Sequence, residues 1–286
     1  MGALTLDTLL RRAAERLFSA GSPTPRLDAE VLLLHVIERS RTWLYTWGDT
    51  PCERWHQARF EALMAARAQG MPVAYLTGER EFWGLRLATS RETLIPRPDT
   101  ETLVEAALAR ADTPVGQLLD MGTGTGAVAL AFASERPGWQ VHGVDVRPEA
   151  VALARKNAAA LAIDNACFMP SDWFSALEGE APSRFELIVA NPPYIAENDP
   201  HLALGDVRFE PRSALVAADD GSADLHYLID RAGAFLISGG WLLLEHGHTQ
   251  AASVRSRLSR AGYTQVASVC DLGGHERVSL GQLPAG

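Results

Sequence analysis

The residues best suited to chemistry follow an apolar run. Phe185-Glu186-Leu187-Ile188-Val189-Ala190 reads as a buried strand, and it ends in Asn191-Pro192-Pro193-Tyr194. A proline pair directly after a strand stiffens the backbone and removes two N–H donors. The main-chain oxygens stay available as acceptors, and the Asn191 side chain adds one more. Two acceptors converging on one spot can hold an –NH₂ group by both hydrogens. The Tyr194 ring can cover a flat π system. Asn191, Pro192, Pro193 and Tyr194 are therefore candidate substrate contacts for a planar amino or amide nitrogen. Asn191, Pro192 and Tyr194 are the candidate catalytic residues. Alone, four such residues could equally be a plain turn.

A second constellation lies upstream. Leu118-Leu119-Asp120-Met121 leads into Gly122-Thr123-Gly124-Thr125-Gly126, between a strand and a helix. Glycines at alternate positions let the backbone turn tightly and approach a ligand closely. Sites for NAD, FAD and S-adenosylmethionine all use such a turn. Asp120 separates them: a carboxylate at the strand end repels a pyrophosphate but suits a sulfonium and an ammonium group. Val141-His142-Gly143-Val144-Asp145 is a short apolar strand ending in an acid, 25 residues after Asp120. A carboxylate there can accept both ribose hydroxyls. Asp120, Gly122, Thr123, Gly124, Thr125, Gly126 and Asp145 are the candidate cofactor contacts.

These groups need a sheet to position them. From about residue 98, apolar runs at 116–120, 140–145, 166–170, 185–190, 240–246, 263–270 and 276–282 read as strands. Amphipathic stretches at about 99–110, 126–135, 148–160, 222–237 and 249–260 read as the helices between them. Such alternation predicts an α/β fold with a largely parallel sheet and helices on both faces. Residues 76–97, with glycines and prolines around Glu81-Phe82-Trp83 and Leu85-Arg86-Leu87, predict a β-hairpin linker. Residues 1–75 predict a small helical domain. Leu6, Leu9, Leu10, Ala13, Leu17 and Phe18 recur at helical spacing. A second helix starts at Thr24-Pro25, with Leu27, Val31, Leu34 and Ile37 as its apolar face. A third opens on a capping box at Thr50-Pro51-Cys52-Glu53. Trp43, Trp47 and Trp55 are expected in this domain's core.

Composition excludes several classes. Hydrophobic residues make up 47% of the 286 and charged residues 21%, as in soluble domains. No run approaches a membrane span, and Met1–Asp7 does not read as a signal peptide, so a cytoplasmic protein is expected. Cys52, Cys167 and Cys270 are too few and too scattered for a disulfide framework or a Cys-x-x-Cys site. The net charge is −9, all of it in 86–286, because residues 1–85 hold ten basic and ten acidic residues. No basic surplus invites a phosphate backbone, and no direct nucleic-acid partner is expected. Lys156, the only lysine, is in no Gly-Lys-Ser/Thr motif, which excludes a P-loop hydrolase. Glu245-His246-Gly247-His248 could suggest a metal, but no third ligand is evident and none is expected. Arg97 and Arg212 fit either substrate orientation or structural ion pairs.

Taken together, Asp120–Gly126 and Asn191-Pro192-Pro193-Tyr194 resemble the class I S-adenosylmethionine-dependent methyltransferases that act on amino or amide nitrogen. Arg80–Trp83, Leu94–Glu101, Ser171–Phe174, Asp206–Arg212 and Leu243–Gly247 narrow the resemblance to the peptide chain release factor N(5)-glutamine methyltransferases, the PrmC/HemK family. It spans nearly the whole chain, with no departure at a motif position. It implies a Rossmann-like sheet of seven strands, the last antiparallel; residues 98–286 are the expected methyltransferase domain, and residues 1–75, charge-balanced, helical and empty of catalytic candidates, are expected to recognise the substrate. It implies methylation of the glutamine amide in the Gly-Gly-Gln loop of bacterial release factors, which modulates translation termination. It also implies S-adenosylmethionine contacts from Trp173, near the adenine, and from Asn191. A nucleic-acid amino methyltransferase or a non-catalytic binding module stands as the alternative. The charge balance opposes the first, and intact Asp120, Asp145 and Asn191 oppose the second.

Overall fold

The computed structural model describes residues 4–178 and 184–285; the first three residues of the segment read against a signal peptide lie outside them. The chain divides into two compact units, Met1–Glu79 with His201–Phe209, and Arg80–Pro200 with Glu210–Gly286.

The first unit is built from α1 (Leu6–Ser19), α2 (Pro25–Ile37), α3 (Arg41–Trp47), α4 (Arg54–Ala68) and α5 (Val73–Thr77). Thr5 caps α1 by accepting the Thr8 N–H at 3.3 Å. The expected face of α2 is half right: Ile37 is buried and Leu34 packs against the core, but Leu27 and Val31 are exposed, and Ala29, Leu32, Leu33 and Val36 are buried in their place. Apolar residues run almost all round this helix, so spacing alone cannot choose a face. Two acids of α2 are buried as well. Asp28 meets the buried Arg67 at 2.7 Å, and Glu30 pairs with Arg41. Arg67 also reaches Asp206 at 2.9 Å, on the segment the chain returns to this unit.

Other expectations for this unit also fail. The Thr50–Glu53 capping box does not form, because α4 starts at Arg54 with no side-chain cap. Thr50 is already used, donating its N–H to Trp47 O. Helices α3 and α5 are short and are not among the three helices the spacing predicts. Phe18, Trp47 and Trp55 are at least half exposed. The Trp55 indole donates to Glu53 at 2.6 Å, and Arg59 stacks on its ring, which suits an aromatic side chain at the surface.

The second unit opens on a hairpin, β1 (Glu79–Phe82) and β2 (Leu85–Ala88), closed by Trp83 and Gly84 at φ 54° and 68°. Two left-handed residues match the twist of the strands they join. The Trp83 N–H donates to Glu101 at 3.0 Å, which holds a bulky residue in that strained conformation. Asn157 clamps β2 by bonding both the N–H and the C=O of Ala88, and it bonds Thr125 O in the glycine turn.

Next come α6 (Glu101–Leu108), β3 (Gly116–Met121), α7 (Ala127–Glu135), β4 (Trp139–Asp145), α8 (Pro148–Leu161), β5 (Ala166–Pro170) and β6 (Phe185–Ala190). The chain ends with α9 (Ala218–Gly221), α10 (Ala223–Ala232), β7 (Leu236–Glu245), α11 (Ala251–Arg260), β8 (Thr264–Cys270) and β9 (Glu276–Gln282). The sheet order is β5-β4-β3-β6-β7-β9-β8, and only β9 runs antiparallel to its neighbours. Leu118, Leu187, Val189 and Leu243 pack into one core with α6, α7 and α8. Leu119, Met121, Ile188 and Leu244 pack into the other with α10 and α11. Alternation along each strand sends neighbours to opposite faces, so both faces are filled. Strand β7 begins at Leu236, inside the stretch read as helix to 237. Ser238-Gly239-Gly240 resembles a turn, but it is an irregularity the strand passes through, with Gly239 at φ 80°.

Register fixes what lies beside what. Met121 pairs with Val144 on one side and Ala190 on the other, and Ala190 pairs with Leu244. One residue further on, Asp145, Gly122, Asn191 and Glu245 form a row across the carboxyl ends of four parallel strands.

Candidate active site

The row borders a cleft of about 280 Å³, where strand order reverses between β3 and β6. Ligands of open α/β sheets bind at such reversals. Asp120, Gly122, Thr123, Gly124, Thr125, Asp145, Trp173, Asn191, Pro192 and Pro193 all line it. Gly126 and Tyr194 do not. Every lining residue belongs to the second unit.

The glycine turn folds as its residues require. Gly122, Gly124 and Gly126 have φ of 72°, 56° and 82°, a region that penalises any Cβ. The Gly122 and Thr123 N–H groups both donate to Val144 O at 2.9 Å. The Asp145 carboxylate fixes the turn from the neighbouring strand, accepting the Gly124 N–H at 3.0 Å and the Arg147 N–H at 2.9 Å. Each oxygen keeps a further lone pair for a hydroxyl. Burial pushes the Asp145 pKa up, and these N–H bonds pull it back. Asp120 is fully buried, and its pKa rises to about 6 even though it accepts the Thr123 hydroxyl at 2.7 Å and the Ala129 N–H at 3.3 Å. Asp120 thus joins the turn to the start of α7.

The other end of the cleft has a different character. The Asn191 Nδ2 donates to Thr100 Oγ1 at 3.1 Å, while Oδ1 is buried without a hydrogen-bond partner. Buried acceptors in folded proteins are almost always satisfied; this one is left without a partner in a residue that lines the cleft. Tyr194 is not among the residues that line the cleft. Its hydroxyl reaches Glu245 Oε1 at 3.4 Å, and burial beside that carboxyl pushes its pKa up. The reading of Tyr194 as a π cover finds no counterpart in the cleft wall.

Two residues here were quoted in the sequence without a site role, Thr100 and Glu245. Thr100 lies in the Pro96–Glu101 run and lines the cleft; Glu245 ends β7 beside Asn191. No residue-type signal marks them, because their importance comes from register.

The remaining candidates sort as follows. Arg97 lines the cleft and pairs with the buried Glu210, whose other oxygen accepts the Ile95 N–H at 3.0 Å. Arg212 is exposed, 3.9 Å from Glu197. His246 is buried and His248 exposed, so the two do not share a face. His246 meets Ser279 at 2.7 Å and Gly247 O at 2.9 Å, and burial lowers its pKa. Glu92 and Arg147, both on the cleft wall, form an ion pair.

A parallel sheet with one reversed strand, a glycine turn at its switch point and an acid ending the next strand define a Rossmann-like methyltransferase. Residues 98–211 match the methyltransferase small domain family, and residues 8–78 match the PrmC N-terminal domain family. A methyltransferase of Pyrococcus furiosus shares this fold, with a TM-score of 0.54 and 17% identity over 81% of this chain and 100% of that one. A T. thermophilus 16S rRNA methyltransferase, solved with AdoMet and guanosine, gives a TM-score of 0.50 and 23% identity over 72% of this chain and 49% of that one. The curated relatives are much nearer. The release factor glutamine methyltransferase of Vibrio cholerae is 54% identical over 98% of this chain and 97% of its own. That of Escherichia coli K12 is 52% identical over 96% and 97%. The chain belongs to the release factor glutamine methyltransferase family.

Proposed function

We propose that the protein methylates the side-chain amide nitrogen of glutamine in the Gly-Gly-Gln motif of bacterial peptide chain release factors, with S-adenosylmethionine as methyl donor. The observation that carries this reading is the buried, unpartnered Asn191 Oδ1 at the cleft. The cleft suits the donor: Asp145 offers lone pairs for ribose hydroxyls, the glycine turn admits close approach, and Trp173 supplies an aromatic wall. Asp120 lies where a positive charge would be favoured. When bound, S-adenosylmethionine supplies an electrophilic methyl group and departs as S-adenosylhomocysteine.

Amide nitrogen is a poor nucleophile because its lone pair is delocalised into the carbonyl. Asn191 Oδ1 and a carbonyl of Pro192 or Pro193 accept the two amide hydrogens and keep the nitrogen aimed along the attack line. With the donor bound, these acceptors would hold the nitrogen toward the electrophilic methyl group while the amide kept one hydrogen free to be lost as a proton. Much of the rate comes from positioning. No strong base is needed, because the methylated nitrogen is acidic before it loses that proton.

Residues 1–75 are assigned to recognition of the release factor, 76–97 to the link and 98–286 to the chemistry. The exposed aromatics of the first unit and the confinement of the cleft lining to the second support this division. No described helix is long and apolar enough to cross a membrane. The test is mass spectrometry of release factor incubated with the protein and methyl-labelled S-adenosylmethionine. One methyl group on the Gly-Gly-Gln glutamine is the expected result; no label, or label elsewhere, overturns it.

A further inference from the structure

Pro192 and Pro193 have no N–H to donate, so the loop from Asn191 to Tyr194 has fewer ways to be pinned than an ordinary turn. Its upstream end is strand β6, whose Ala190 pairs with Leu244. Past its downstream end the backbone is tied at Ile195. The Ile195 N–H donates to Leu215 O at 2.9 Å, and Ile195 O accepts the Ala217 N–H at 3.1 Å. Directly after the prolines, the Tyr194 carbonyl is gripped by a side chain: it accepts from Gln250 Nε2 at 3.3 Å.

Gln250 stands directly before α11 and makes three such bonds. Its Oε1 accepts the Gly247 N–H at 2.8 Å, just past the end of β7. Its Nε2 donates to Gly221 O at 3.1 Å as well as to Tyr194 O. Every partner is a backbone group with one possible role, since an N–H only donates and a carbonyl only accepts. The orientation of the Gln250 amide is therefore settled, and both of its hydrogens are used. Gly221 is placed with equal care. Asp219, Asp220 and Gly221 have φ of 51°, 52° and 83°, three successive residues in the left-handed region. A Cβ on Gly221 would lie 2.3 Å from Tyr194 O, so only glycine brings the backbone this close. One side chain thus joins the Tyr194 carbonyl to the end of β7 and to the Gly221 turn.

We propose that Gln250 is a positioning residue for methyl transfer: by gripping the Tyr194 carbonyl it fixes the backbone from which Asn191 Oδ1 and a proline carbonyl hold the amide nitrogen. This rests on the roles given to those two acceptors above. Gln250 does not line the cleft; its effect passes through the loop. Displacing such acceptors by about 1 Å can cost about a hundredfold in rate.

The test uses the full chain and Gln250→Glu. This variant keeps the shape and the acceptor for the Gly247 N–H, and it puts an oxygen where two carbonyls need a donor. At saturating release factor and S-adenosylmethionine, single-turnover methyl transfer should slow about tenfold or more, with both affinities within about twofold. Deuterium uptake, read by mass spectrometry, should speed up severalfold in the peptide covering residues 191–197 and stay unchanged over 120–126. In an Asn191→Ala background, where one grip on the nitrogen is already lost, Gln250→Glu should cost no more than about threefold. A wild-type rate for Gln250→Glu, an equal loss in both backgrounds, or a slowed rate with unaltered uptake over 191–197 would overturn the proposal. If Gln250→Glu does not fold, Gln250→Met, which removes all three bonds, is judged by the same criteria. A wild-type rate for Asn191→Ala would instead overturn the reading of Asn191, whatever Gln250 does.

Discussion

The two ends of the cleft differ in how far the protein satisfies its own polar groups. At the β3–β4 end, Asp120 and Asp145 are held by N–H groups and a hydroxyl before any ligand arrives. At the β6–β7 end, Asn191 Oδ1 and Glu245 Oε2 are buried and unpartnered. The first is braced by the protein's own hydrogen bonds. The second leaves an acceptor without a donor, which the role proposed for Asn191 requires. Cofactor-end changes should therefore appear in binding and nucleophile-end changes in turnover.

Asn191→Ala probes the contrast most severely. Turnover should fall on the order of a hundredfold or more, as when a transition-state hydrogen bond is lost. Release-factor affinity should barely move, because a protein substrate is held over a wider surface. Equal single-turnover rates for wild type and variant would reduce Asn191 to a turn residue. Asp145→Ala should act in the opposite sense. S-adenosylmethionine binding, read by calorimetry, should weaken by about 1–3 kcal/mol, with a smaller effect on the rate at saturation. A variant that binds normally but turns over slowly would erase the distinction.

The third expectation concerns pH. Burial raises Asp120 from 3.8 to about 6. Between those values the native chain binds more protons than the unfolded one, so this residue's contribution to stability falls as pH rises through that window. Denaturant unfolding of wild type and Asp120→Asn at pH 4 and 7 should show a difference on the order of 1–3 kcal/mol in pH dependence, the variant being flatter. Parallel pH profiles would show that Asp120 is not desolvated. The smallest effect belongs to the first unit. Trp47→Ser should change stability by no more than about 0.5 kcal/mol, since the side chain is 54% exposed. Any rise in KM for release factor would then report on recognition, and a large loss of stability would return Trp47 to the core.

Legibility differed between these regions for physical reasons. The glycine turn, Asp120, Asp145 and Asn191 were readable because each depends on residue type at a strand end, a local property. The first unit was read less well. In α2 the apolar residues surround the helix, and only packing against its neighbours selects Ala29, Leu32, Leu33 and Val36. In β7, Ser238-Gly239-Gly240 carries a turn signal, and pairing on both sides of it overrides that signal.

What the residues alone determined is the set of groups offered to a ligand and the strands that carry them. Strand periodicity, glycine tolerance of positive φ and carboxylate charge are properties of a few neighbouring residues, whatever the rest of the chain does. What only the tertiary structure decided is which partner each group meets. Asn191 and Glu245 lie side by side because Ala190 pairs with Leu244, and Thr100 and Tyr194, outside the strands, reach them by hydrogen bonds at 3.1 and 3.4 Å. Tertiary packing also left Asn191 Oδ1 buried and unsatisfied and set the Tyr194 hydroxyl 3.4 Å from Glu245. A hydrogen bond needs its two partners within about 3 Å and correctly aimed. No local pattern can specify that for residues on separate strands, so it is settled only when the sheet closes.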